Sequence, residues 1–144
     1  MNEQMNDLKR FLDEQEEDFA RALGEIRRGR KQSHWMWYIF PQIAGLGMSS
    51  TSKFFAIKTK AEAAEFLAHP VLGQRLVEIS EALLEIEEKT AHQIFGSPDD
   101  LKLKSSMTLF GALKETNPIF QQVLDKYFNG AKDDRTLQLI DDSK

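Results

Sequence analysis

The chain contains no cysteine. That one absence excludes a disulfide scaffold, a thiolate zinc site and a thiol nucleophile. Histidine is scarce, with three in 144 residues, at His34, His69 and His92. No two of them stand at the i, i+3 or i+4 spacing that would place two ligands on one helix face, so neither a metal nor another cofactor is expected. Long hydrophobic runs are missing as well. The longest uncharged stretch, from Gln32 up to Lys53, contains His34, Pro41, Gly45 and Gly47 and is too polar to span a membrane. Nor is there a surplus of positive charge: 19 Lys and Arg stand against 23 Asp and Glu, a net charge of −4. No global basic field is available to gather nucleic acid. The first residues carry Glu3, Asp7, Lys9 and Arg10 and do not read as a signal peptide, so a cytoplasmic location is expected. Strand-like alternation and fixed-period repeats are both lacking.

What remains is a chain 41% hydrophobic and 29% charged, the composition of an ordinary globular domain with a core. One domain over residues 1–144 is expected, ordered from about 7 to 140, with both ends frayed. Its helices announce themselves by period and punctuation. Leu8, Phe11, Leu12, Phe19, Leu23 and Ile26 follow helical spacing from an Asp7 cap to a stop near Gly29, with Glu14, Glu16, Glu17 and Asp18 as a solvated face. Arg27, Arg28, Arg30 and Lys31 gather at the negative end of that helix's dipole. "PQIAGLGMSSTS" is a loop and "TSKFFAI" a short helical turn. Thr59 caps "KAEAAEFLAH", His69 caps a turn, and Pro70 opens a helix with Leu72, Leu76, Ile79, Leu83 and Ile86 on one face. "TAHQIFG" is a short turn closed by Gly96. Ser97 caps the next helix, with Pro98 at its first position and Asp99 and Asp100 complementing its dipole. Asn117, Pro118 and Gly130 repeat that grammar, and Asp134 caps a last helix through Ile140. The sum is an all-α, compact multihelical domain of about five to seven helices with central buried ones.

Chemistry concentrates in "GRKQSHWMWYIFPQ", residues 29–42, which holds both tryptophans. Its apolar residues exceed the stripe of a surface helix, so Met36, Ile39 and Phe40 read as core. Trp35, Trp37 and Tyr38 carry donors that need partners if buried, and His34 and Gln42 bracket the segment. The second segment is "GSPDDLKLKSS". Asp99 and Asp100 read as dipole partners or as an acid–base pair, although consecutive helical positions diverge by about 100°. Lys102 and Ser105 share a face and read either as a Ser–Lys nucleophile or as an ordinary semi-polar face. His92 is placed to pack beside the Ser97 helix start.

The strings "GRKQSHWMWYIFPQIAGLG", "HPVLGQRL" and "IFGSPDDLKLKSSMTLF", in that order, resemble the bacterial domain-of-unknown-function family 1810. The resemblance runs from about Asp7 to Ile140. It implies a mainly helical single domain with buried central helices, and no activity or catalytic residue. Some members of that family bear a calpastatin label. Inhibitors of that kind are long, disordered and repetitive, unlike this chain.

Two functions are expected of different classes. In the first, the 33–42 segment meets the 97–108 helix in an aromatic-floored cleft that takes a planar or nucleotide-like ligand. Lys31, His34, Trp35, Trp37, Gln42, Lys102, Ser105 and Ser106 would bind it, Arg30 or Lys31 supplying charge for a phosphate. If chemistry occurs, His34 is the candidate acid or base, since its ordinary pKa lies near neutrality. In the second, the chain is a protein-interaction or homodimerisation module, anchored by an exposed patch of Trp35, Trp37 and Met48.

Overall fold

The computed structural model describes the backbone of residues 3–143 and the side chains of residues 8–143. Among the described residues the chain forms α1 (Glu3–Arg27), α2 (Met36–Ile39), α3 (Ser50–Phe55), α4 (Lys60–Ala68), α5 (Leu72–Glu85), α6 (Ala91–Phe95), α7 (Asp99–Gly111), α8 (Ile119–Phe128) and α9 (Asp134–Asp142). It has no strand there beyond one parallel bridge between Ile43 and Ile57. The all-α class holds, with nine helices in place of five to seven. The difference has a physical cause. Helices α2, α3 and α6 have 4, 6 and 5 residues, too few for a hydrophobic period to declare itself, and α3 and α6 stand where single helical turns are expected. No helix is long and apolar enough to cross a membrane among the described residues.

Helix α1 starts at Glu3, ahead of Asp7, so Asp7 does not cap it; the Asp7 side chain lies outside the described residues. The fraying expected of the first six residues falls partly on Met1 and Asn2, also outside them. At the other end Asp141 and Asp142 are helical, and Lys144 lies outside the described residues.

Punctuation succeeds where a side chain is free to reach an open amide. Thr59 caps α4, accepting from the Glu62 amide at 3.1 Å, and His69 Nδ1 closes a turn on the Val71 and Leu72 amides. Asn117 closes a turn on the Ile119 amide instead of capping α8, which starts at Ile119 with Pro118 at its N-cap, and α5 starts at Leu72, two residues after Pro70. Ser97 does not cap α7. The Asp100 amide it would satisfy already donates to the Gly96 carbonyl at 2.9 Å, and α7 begins at Asp99 without a side-chain cap. Likewise the cap of α9 is Asp133, not Asp134, with Oδ2 accepting from the Thr136 amide at 3.0 Å.

One core draws on all nine helices. Its axis is α7, buried at Leu103 and throughout Ser105–Phe110, and packed against α4, α6, α8 and α9. An aromatic series ties the layers together. Tyr38 packs on Phe55, Phe55 on Phe11, Phe11 edge-on against Phe66 at 5.1 Å, then Phe66 on Phe110 and Phe110 on Phe120. A second group, Trp35, Phe40 and Phe95, closes the end where α6 meets the 35–40 segment.

The α4–α5 corner depends on Gly73. A Cβ there would lie 1.9 Å from the Leu67 carbonyl oxygen, a backbone atom that cannot step aside. Gly73→Ala should therefore lose about 1–3 kcal/mol by overpacking. Gly111→Ala, whose Cβ would meet only Phe120 Cβ at an ordinary 3.7 Å, should lose nothing. Urea unfolding of the two variants checks the contrast.

Candidate functional site

The site begins with a carboxylate near the end of α1. Glu25 is 2% exposed and sits where a helix dipole disfavours an anion. Four donors compensate. Oε1 accepts from the Gln32 amide at 2.8 Å, the Ser33 amide at 2.9 Å and Trp35 Nε1 at 2.9 Å, and Oε2 from Ser33 Oγ at 2.6 Å. Burial alone would raise its pKa. The hydrogen bonds from Ser33, Gln32 and Trp35 outweigh burial and lower it from 4.5 to about 2. The Trp35 ring is thereby fixed, fully buried, with its polar edge satisfied.

On that ring stands Lys31. Its ammonium lies 5.0 Å from the Trp35 centroid, 2.9 Å from Asp99 Oδ2, and donates to the Ser33 carbonyl at 2.6 Å. Asp99, at the start of α7, also faces Lys102 at 3.5 Å, and Lys102 in turn lies 5.6 Å from the Trp37 ring centroid. Two cations, each over a tryptophan, are thus joined by one carboxylate.

Lys102 opens onto a cleft of about 270 Å³, lined by Gln42, Leu46, Gly47, Ser52, Pro98, Leu101, Lys102 and Ser105. Trp37 lines the adjoining crevice, which shares Gln42, Gly47 and Ser52. The Ile43–Ile57 bridge positions this wall, because the Ile57 amide donates to the Gln42 carbonyl and the Ala44 amide to the Ile57 carbonyl, each at 2.8 Å. The intervening chain, with α3, is clipped into a loop whose Leu46, Gly47 and Ser52 face α7.

The structure brings Gln42, Lys102 and Ser105 to one cleft, with Trp37 beside it and Lys31 linked through Asp99. It does not bring the other expected residues there. His34 is exposed and lines neither the cleft nor the crevice; its carbonyl accepts from the Tyr38 hydroxyl at 3.2 Å. Trp35 lies beneath in the core, so the exposed patch of Trp35, Trp37 and Met48 does not form as a unit, although Met48 is 80% exposed. Ser106 is fully buried, and its hydroxyl has no hydrogen-bond partner among the described residues. Ser105 Oγ lies 3.2 Å from the Leu101 carbonyl and 3.3 Å from Asp133 Oδ2. Lys102 is ion-paired with Asp99 at 3.5 Å.

Glu25, Asp18 and Gln15 are polar residues of this region that periodicity does not single out; Gln15, buried in α1, donates from Nε2 to the Tyr38 carbonyl at 2.7 Å. Glu25 stands one turn from Ala22 and beside Ile26, on the buried stripe of α1, and a lone acid in a core stripe is the signal that could have found it. Asp18, expected on the solvated face, is half-buried and accepts from the Tyr38 hydroxyl. Burial and then that acid push the Tyr38 pKa well up. His92 does meet the α7 start, its Nδ1 3.5 Å from Asp100. No group of three or more His, Asp or Glu poised to hold a metal occurs among the described residues.

The family model described as "Protein of unknown function (DUF1810)" matches residues 5–140. A conserved hypothetical protein from Mycobacterium tuberculosis, Rv1873, has a crystal structure similar to this fold. It is 42% identical, with a TM-score of 0.92 over 94% of this chain and 96% of that one. No curated protein matches.

Because the folded Glu25 pKa lies below its ordinary value, its contribution is complete above 4.5 and fades as pH falls toward about 2. A depression of that size is worth about 3 kcal/mol. Urea unfolding at a series of pH values should show the wild type losing stability through this window. Glu25→Gln should start lower at neutral pH and fall less; parallel curves would place the acid sensitivity elsewhere. Ser106→Ala removes a buried hydroxyl without a described partner, so its melting temperature should be unchanged or raised.

Proposed function

The chain belongs to the DUF1810 family, and for this member we propose the binding of a small planar or nucleotide-like ligand in the cleft between the 33–42 segment and the 97–108 helix. The observation that carries the reading is the convergence of Lys102, Gln42 and Ser105 on one cleft. The three come from two segments distant in sequence, and the cation is already oriented by Asp99 and Trp37. Lys102 offers charge to an anionic group. Gln42 offers both a donor and an acceptor to a heterocycle edge, and Ser52 and Ser105 add hydroxyls. Leu46, Pro98 and the exposed Leu101 give apolar walls to a flat body. A volume of about 270 Å³ suits one ring system with its substituent, and is small for a dinucleotide.

His34 has no part in this reading, because its ring stands outside the cleft. The interaction-module alternative loses its expected Trp35 anchor to the core.

A thermal-shift screen of the purified protein against nucleotides and central metabolites tests the proposal. A true ligand should raise the melting temperature with a logarithmic dependence on its concentration above Kd, the stabilisation reaching about 2.7 kcal/mol at a hundredfold excess. Lys102→Ala and Gln42→Ala should abolish that rise. Each should change the unliganded stability by less than about 1 kcal/mol, since both side chains are partly exposed. His34→Ala should retain it. A ligand effect lost in His34→Ala and kept in the two cleft variants would move the site away from this cleft.

A further inference from the structure

A second cleft, of about 450 Å³, lies on the other side of Lys31. Its lining includes Arg30 and Lys31 from the segment after α1, Lys89 from the segment before α6, and His92 and Gln93 from α6 itself. No acidic residue lines it, in a chain with 23 acidic residues against 19 basic ones. We infer that this cleft binds the phosphoryl group of a small molecule.

The charges in the cleft divide into two kinds. Lys31 and His92 are each tied to an acid of α7, Lys31 to Asp99 at 2.9 Å and His92 to Asp100 at 3.5 Å. Those pairs orient both side chains, and Asp99 cancels much of the Lys31 charge. Arg30 and Lys89 are different. Neither forms an ion pair with a carboxylate among the described residues, and the Lys89 ammonium is held by a neutral group, the Gly29 carbonyl, at 3.0 Å. Gly29 makes room for it: at φ 80 a side chain is strained, and a Cβ would lie 2.8 Å from Lys89 Nζ. The seat of this ammonium therefore requires glycine at 29. Its hydrogen bond leaves two N–H groups for a ligand.

Gln93 adds a neutral donor. Its Oε1 accepts from the Thr90 amide at 2.8 Å, which commits the oxygen and leaves the NH2 group available. A fork-shaped guanidinium and an ammonium, neither ion-paired with a carboxylate among the described residues, and an amide NH2 form a donor set for a tetrahedral dianion. The cleft is larger than a bare oxyanion needs, and Ile94 and Phe95 are part of its wall, so a body attached to the phosphoryl group has space and apolar surface. This site is separate from the Lys102 cleft and does not rest on it; Asp99 stands between the two.

The test is a melting-temperature titration with orthophosphate, pyrophosphate and ribose 5-phosphate, with ionic strength held constant by potassium chloride. Pyrophosphate and orthophosphate are expected to raise the melting temperature with the logarithmic concentration dependence of a single site, from which an apparent Kd is obtained. Arg30→Ala and Lys89→Ala, both changes at exposed side chains, should weaken the apparent affinity at least tenfold, and Lys9→Ala, at an exposed cation that lines neither cleft, should leave it unchanged. Ribose 5-phosphate separates the sources. Tighter binding than orthophosphate assigns the site to phosphomonoesters, and equal or weaker binding to the free anion; either supports it. No shift with any of the three beyond that of potassium chloride at equal ionic strength, or the same concentration dependence in both variants as in the wild type, overturns the inference. Because the Lys102 cleft is read out by Lys102→Ala and Gln42→Ala, failure at one site is distinguishable from failure at the other.

Discussion

A buried carboxylate organises this molecule. Glu25 lies in the last turns of α1, where the helix dipole repels it and water does not reach it. It remains an anion because the chain folds back over it and delivers two amides, a hydroxyl and an indole N–H within 2.6–2.9 Å. That return sets the course of the chain up to Trp35. The Gln32–Ser33 backbone is fixed to the helix end, Trp35 is drawn into the core by its polar edge, and Lys31 is left above the ring. Removing the anion would orphan four donors at once, a heavier loss than any surface ion pair in the chain represents.

From Lys31 the electrostatic chain continues through Asp99 to Lys102, and each lysine faces a different cleft. Asp99 stands at the start of α7, the one helix whose middle is buried throughout Ser105–Phe110. An acid at that terminus is favoured by the dipole, so the bridge between the two lysines is anchored on the central element of the fold. Both clefts are consequently built on packed elements on the α7 side: the α1–α6 junction for one, α7 itself for the other. The opposite wall of the Lys102 cleft is the 44–56 excursion, held at its neck by two hydrogen bonds between the 42–44 and 57 backbones.

Much of this architecture is legible in residue order, and the failures share a cause. Thr59 caps α4 as its spacing implies, whereas His69 and Asn117 close turns ahead of α5 and α8, which begin at Leu72 and Ile119 without a side-chain cap. Ser97 fails because a backbone carbonyl, that of Gly96, reaches the same amide first, and no periodicity shows which acceptor wins. The short helices escape a count by period because their stability comes from tertiary burial, not from a pattern of their own. In the site, Gln42, Lys102 and Ser105 stand out in the sequence and do share a cleft. Trp35 and Ser106 stand out with them and are core. The difference turns on Glu25. Nothing local to Trp35 shows that its N–H is satisfied from another helix, so a buried tryptophan with a partner and a cleft tryptophan seeking one look the same in the sequence.

The pairing of cations with acids also bears on how such a protein chooses ligands. A lysine already matched to a carboxylate loses part of its attraction for any anion and gains a fixed position; an unmatched arginine keeps its full charge and its freedom. Lys102 and Lys31 are of the first kind, Arg30 and Lys89 of the second. The Lys102 cleft, with one compensated cation, one amide and two hydroxyls, is therefore built to discriminate by shape and hydrogen bonding, with modest dependence on salt. The Arg30–Lys89 cleft is built to attract by charge, and its affinity should fall as ionic strength rises. A chain with net charge −4 repels anions at long range, so Arg30 and Lys89, the cations of that second cleft with no carboxylate partner among the described residues, are what permit anions to approach.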